Sequence, residues 1–282
     1  MFPSTDRAAI NADALAARTR SMARRLLAGA GSASLLAYRL SPDEFTASIA
    51  HGLTRSGQLV VAGRPDPSDP VTVAEAGEPV DVRVDLLKES PDPMVRLVAA
   101  TVHALGVLTW LPREEARRLY AWGELPRDVA DLVEDGRGRL GVIEVQRVVL
   151  RDSLGVTPMD FDDLEGRAPD EPAPAFPNGI DEWSAYDLVA SVDESFLASI
   201  CRSVDSGLIP GAICWRRPTV NACGHTLGRV FLADIDSTGV TLMSVDEDET
   251  LAAFAAFRRP VTTLDDLAVQ VSCLVDDAAE RA

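Results

Sequence analysis

His51, His103 and His225 are the three histidines of this 282-residue chain. Imidazole is the side chain that most readily binds iron or moves a proton near neutral pH. Their settings differ. His51 precedes Gly52 where an apolar run ends, which suits the rim of a pocket. His103 sits inside the apolar stretch Val95 to Leu111, where a ring bonded to neighbouring backbone is the commoner outcome. His225 lies in a Cys-Gly-His-Thr loop and reads equally well as a solvated side chain. A second constellation is Arg83-Val-Asp-Leu-Leu-Lys88. Arg and Lys emerging near a strand end can clamp a dianion, but their odd spacing sends them to opposite faces of a regular strand. Tyr38 and the cysteines Cys201, Cys214, Cys223 and Cys273 are weaker metal ligands. With no C-x-x-C pair, zinc-ribbon and thioredoxin chemistry is excluded, and the cysteines read as reduced, mostly buried small hydrophobes.

Acidic clusters such as Asp246-Glu247-Asp248-Glu249 have neither the spacing nor the glycine of a calcium loop, and read as solvated turns. No phosphate-binding glycine loop, nucleophile elbow or zinc-protease helix motif occurs. The net charge of −17 repels a polyanion over most of the surface, which argues against nucleic-acid binding. Lys88 is the only lysine, so arginine abundance follows from overall composition and carries no functional weight by itself. No apolar run approaches the roughly 20 residues of a membrane span. The N-terminal 30 residues have helical periodicity rather than the continuous apolar core of an export signal. The cytoplasm is therefore the expected location.

These residues need elements to hold them. Leu15, Met22, Leu26 and Leu27 mark an amphipathic helix over 12–30. Strands are expected at 34–38, 46–53, 58–62, 80–87 and 140–152, with 95–111 either one strand bent at Gly106 or two strands, and helices at 112–122 and 127–134. In 80–87 the alternation of Val80, Val82, Val84 and Leu86 with Asp81, Arg83 and Asp85 marks a half-buried strand. Six or so strands with helices before and between them suggest a closed antiparallel barrel. The proline-rich segment 168–179 reads as a linker. Beyond it, a helix over 181–206 with the apolar stripe Trp183, Leu188, Val192, Phe196 and Ile200 precedes two strands around the turn Asp236-Ser237-Thr238-Gly239. A third strand and a closing helix at 263–279 complete the chain. The fold class is α+β.

Two passages resemble a known family. The run from Val230 to Val275, with its strand, Asp-x-x-Gly turn, second strand, Phe257-Arg258-Arg259-Pro260-Val261 segment and final helix, resembles the small C-terminal domain of HugZ-like haem-utilisation proteins. Residues 95–126 and 138–156 are similar to the later strands and intervening helix of the barrel in the same proteins. Arg83 to Lys88 is also similar to the segment with which pyridoxamine-phosphate-oxidase-like barrels hold the FMN phosphate, with Asp85 where an apolar residue is usual. The resemblance implies an FMN-binding-type split β-barrel over 1–167, a linker at 168–179 and a small α+β domain over 180–282. It implies a homodimer with its site near the subunit interface. Many such C-terminal domains carry a histidine near the end of their first helix, and Val192 to Phe196 has none. The implied functions are haem binding in haem or iron utilisation, FMN-dependent oxidation and reduction, or non-enzymatic regulation of tetrapyrrole metabolism. Haem needs an axial ligand, an apolar slot and cations for its propionates. The candidates are His51, His103 and His225 as ligands, with Arg83 and Lys88 as cofactor-binding cations. Whether the protein is an enzyme stays open, and a haem-binding barrel without flavin is the leading expectation.

Overall fold

The computed structural model describes residues 4–40, 46–164, 176–179, 181–220 and 222–281. The chain divides into two compact units, Ala23–Lys88 with Ala100–Pro172, and Met1–Met22 with Glu89–Ala99 and Ala173–Ala282. Of the expected linker, residues 168–175 lie outside the described residues.

The first unit is a closed barrel. It begins with the last residues of α1 (Ser4–Leu27), where Ala23, Leu26 and Leu27 are buried. The strands are β1 (Ser32–Leu36), β2 (Thr46–Leu53), β3 (Leu59–Gly63), β4 (Pro79–Glu89), β5 (Val98–Trp110), β6 (Arg139–Asp152) and β7 (Gly155–Met159). Their order is β3-β2-β1-β4-β5-β6-β7, and β3 also pairs with β6, which closes a six-stranded antiparallel barrel with β7 appended. The period-2 pattern of β4 is realised, with Val82, Val84 and Leu86 buried between half-exposed neighbours. They meet Ala33 and Leu35 of β1 in register, Leu86 opposite Ala33 and Val84 opposite Leu35. Burying each such side chain contributes about 1.5–3 kcal/mol.

β5 is one continuous strand, and its register against β6 shifts between Leu105 and Gly106. Gly106 is required there because a Cβ would lie 2.4 Å from the Glu144 carbonyl oxygen. Trp110 ends β5 with its ring fully buried, donating from Nε1 to the Val71 carbonyl of α2 (Pro70–Val73) at 2.8 Å. Helices α3 (Arg113–Ala121) and α4 (Arg127–Glu134) cover the outside of β3 and the start of β6. There Ala116, Val129 and Val133 pack with Val60, Ala62 and Leu140.

In the second unit, α5 (Glu182–Ala190), α6 (Glu194–Asp205) and α7 (Leu264–Arg281) join a four-stranded antiparallel sheet. Its strands are β8 (Gly211–Pro218), β9 (Arg229–Asp236), β10 (Gly239–Val245) and β11 (Glu249–Ala256), in the order β8-β11-β10-β9. The helix expected over 181–206 is thus two helices. Asp193 caps the second, accepting from the Ser195 N–H at 2.8 Å. The expected stripe holds in part: Ile200 is buried and Leu188 and Val192 pack against the core, whereas Trp183 and Phe196 are exposed and Ala185, Val189, Leu197 and Val204 complete the packing. Thr263 caps α7, accepting from the Asp266 N–H at 3.1 Å.

The Phe257 to Val261 segment has a structural task. Phe257 N–H donates to the Thr238 carbonyl and Val261 N–H to the Ser237 carbonyl, both at 2.8 Å, so the segment clamps the β9–β10 turn. Against the expectation of mostly buried cysteines, only Cys201 is buried. Cys214 lies on edge strand β8, Cys223 in a loop and Cys273 on a half-exposed row of α7.

Candidate functional site

The three histidines occupy three different environments. His51 lies on β2 directly opposite Val61 of β3 and is buried. Its Nε2–H donates to the Leu26 carbonyl at the C-terminal end of α1, at 2.6 Å. A helix end leaves its last carbonyls without intrahelical donors, and His51 satisfies one of them. Burial pushes the imidazole pKa down; the Leu26 bond and the charge of Asp128 oppose that only in part. The ring is therefore a neutral donor whose Nε2 is already engaged.

His103 is different. On β5 the even positions 102, 104 and 108 are buried, whereas His103 belongs to the half-exposed row with Thr101, Leu105 and Val107. Its Nδ1 lies 2.6 Å from Oδ1 of Asp85 on the neighbouring strand β4. The other carboxylate oxygen of Asp85 accepts two bonds from Arg83, from Nη2 at 2.8 Å and from Nε at 3.2 Å. Arg83 and Asp85 are two apart on one strand, so they share a face, and the guanidinium holds the carboxylate in place. An ionised carboxylate only accepts, so in the neutral ring Nδ1 carries the proton and Nε2 the lone pair. Nε2 has no hydrogen-bond partner among the described residues, and the side chain is 38% exposed. A histidine anchored by a carboxylate at one nitrogen and open at the other has the arrangement by which proteins orient a metal-binding imidazole.

The surroundings complete a patch. Val149 of β6 lies directly opposite His103, Arg147 opposite Leu105 and Arg151 opposite Thr101. Diagonal neighbours on one sheet face are about 7–8 Å apart, within reach of long side chains. Val149 and Leu105 are half-buried, whereas Arg147 and Arg151 are exposed and have no side-chain partner among the described residues.

The remaining expected residues do not join this cluster. Lys88 is buried, on the row of β4 opposite to Arg83, so the two do not meet as a phosphate clamp. His225 is exposed in the loop before β9, near the bond from the Thr226 hydroxyl to the Cys223 carbonyl at 2.8 Å. Among the described residues no three His, Cys, Asp or Glu side chains are grouped to hold a bare metal ion. A macrocycle that brings its own four nitrogens needs only an axial ligand from the protein.

Sequence reasoning missed Asp85, Arg147 and Arg151. For Asp85 the signal was present, since alternation already put it beside Arg83. The β6 arginines needed the strand register.

No family model matches the chain, and no curated protein matches it. Among solved structures the chain matches a heme binding protein from Mycobacterium smegmatis at 16% identity and a TM-score of 0.48, over 93% of this chain and 98% of that one. It also matches a protein of unknown function from Agrobacterium tumefaciens at 14% identity and a TM-score of 0.31, over 91% and 94% of the two chains.

Proposed function

We propose that the protein binds haem or a related tetrapyrrole on the outer row of β4, β5 and β6, where His103 would hold the iron. The observation that carries this reading is the Asp85 to His103 bond, which leaves Nε2 open beside apolar neighbours. Asp85 fixes the ring tautomer and orientation, and Arg83 fixes Asp85. Leu105 and Val149 would flank the macrocycle, and the exposed Arg147 and Arg151 would pair with its propionates. Bound haem would supply iron-centred ligand or redox chemistry; the residues seen here bind and orient it. In this reading the barrel works without flavin, since Arg83 is committed to Asp85 and Lys88 lies on the other row. A role in haem or iron utilisation follows from the HugZ-like resemblance. So does a homodimer, and the half-buried apolar row Leu105, Val107 and Val149 suits a partner surface.

Titration of the purified protein with haemin, followed by absorbance, tests the assignment. The expected result is a Soret band that is lost or shifted in His103→Ala and unchanged in His225→Ala. Asp85→Asn, which keeps the shape but loses the charge, should weaken binding by about 10- to 100-fold. A His103→Ala variant that binds haemin like the parent would refute the assignment.

A further inference from the structure

The barrel unit has a concavity of about 430 Å³ between α3, the turn joining α4 to β6, and the loop after β3. Such a volume falls in the range of small-molecule sites, about 300–1,000 Å³. Its walls run against the character of the chain. The whole sequence has 27 basic residues against 44 acidic ones, yet the cleft is lined by Arg113, Arg117, Arg137 and Arg139 and only two carboxylates, Glu134 and Asp135.

Asp135 is already committed, and Glu134 has the Tyr120 phenol beside it. Asp135 accepts from the backbone N–H of Arg137 at 2.8 Å and from Arg64 at 3.5 Å. The Glu134 carboxylate faces the Tyr120 phenol and raises its pKa. Two of the arginines are also held. Arg113 donates to the Gly136 carbonyl at 2.9 Å, and Arg139 donates to the Thr72 carbonyl at 2.6 Å while stacking 4.8 Å above the Trp110 ring. Arg117 and Arg137 have no side-chain partner among the described residues. The floor is apolar, made by Ala116, Val133 and Leu140 of the packed α3–α4 layer.

We propose that this cleft binds a small organic anion, its phosphate or carboxylate group held by Arg117 and Arg137 and its apolar body lying on that floor. The chemistry is that of the guanidinium fork, which pairs two N–H groups with two oxygens of one planar or tetrahedral anion. Two free forks facing one cleft provide the charge, and the fixed Arg113 and Arg139 keep the local field positive. The site shares no residue with the His103 patch, so the two assignments stand or fall separately.

Calorimetric titration with phenyl phosphate, phenylacetate and inorganic phosphate tests the proposal. Phenyl phosphate or phenylacetate should bind saturably, and whichever is tighter names the head group. Inorganic phosphate, which lacks the apolar body, should bind more weakly than phenyl phosphate. The double variant Arg117→Gln, Arg137→Gln changes two exposed side chains and should keep the parent circular dichroism and thermal transition. It should lose at least about tenfold in affinity, the loss of one charge-assisted bond or more. The His103→Ala variant should bind the probes like the parent, whatever it does with haemin. Absence of saturable binding by both phenyl compounds, or unchanged affinity in the double variant, would overturn the proposal.

Discussion

Replacing His51 by leucine separates the structural histidine from the exposed one and gives a signed pH effect. The imidazole donates to the Leu26 carbonyl at 2.6 Å in a buried setting, and among the described residues the other loop or turn N–H on that oxygen is that of Gly29, at 3.3 Å. Leucine has a comparable volume but no donor, so little cavity forms and the cost is that of a buried acceptor left poorly satisfied, about 1–3 kcal/mol. The pH dependence follows from linkage. Burial lowers the folded-state pKa of His51, so the folded ring refuses a proton that the unfolded chain accepts below about pH 6.5. Parent stability therefore falls as pH drops below that value, by at most about 1.4 kcal/mol per pH unit, until the folded pKa is reached. The leucine variant lacks this contribution. Urea unfolding followed by circular dichroism should show the variant less stable near pH 7.5 and the gap closing or reversing near pH 5. Parallel profiles of the two proteins across that range would refute the picture of His51 as a buried neutral donor.

Two further predictions test the packing. Gly106→Ala forces a Cβ to within 2.4 Å of the Glu144 carbonyl oxygen at the β5–β6 irregularity. It should cost about 1–3 kcal/mol and lower the Tm of the barrel; an unchanged transition would mean the two strands do not approach as described. For the thiols, burial pushes the Cys201 pKa up to about 12, whereas Cys223 is exposed in its loop. A thiol-selective reagent at neutral pH should modify Cys223 in the native protein and reach Cys201 only on unfolding. Equal labelling of the two in the folded state would contradict the α6 packing.

The elements legible in the sequence were those whose pattern is complete within a single segment. β4 declares itself through strict alternation, and the β9–β10 hairpin through Asp236 to Gly239. The elements that escaped were half-patterned. β7 is an edge strand with mostly exposed residues and a proline, and β8 carries Trp215, Arg216 and Arg217 on an edge. The break between α5 and α6 was hidden because apolar residues continue through it at nearly helical spacing, although Asp193 and Ser195 carried the cap that ends the run. For the site, each member was nameable but the assembly was not. Arg83 and Asp85 lie on one strand, while His103 and the β6 arginines reach them only through pairings between strands. A one-residue slip of β5 would send His103 to the interior row, and no single segment fixes that register.

Strand parity therefore decides which imidazole is free to meet a ligand. His51 and His103 both sit on barrel strands among β-branched neighbours, and composition alone treats them alike. One faces inward, where burial keeps it neutral and a helix carbonyl occupies its Nε2. The other belongs to the outer row, where an ionised carboxylate takes Nδ1 and leaves Nε2 open. Moving a histidine from position 103 to 102 or 104 would put it among the buried Val102 and Ala104, without Asp85 as its partner. The double variant Leu105→His, His103→Leu keeps the imidazole on the outer row but moves it two positions from the original site, about 7 Å along the strand. It should fail to restore haemin binding if the Asp85 bond, rather than mere exposure of an imidazole, makes the site. Restoration of the parent Soret band in that variant would show that any outward histidine suffices, and the carboxylate would lose its orienting role.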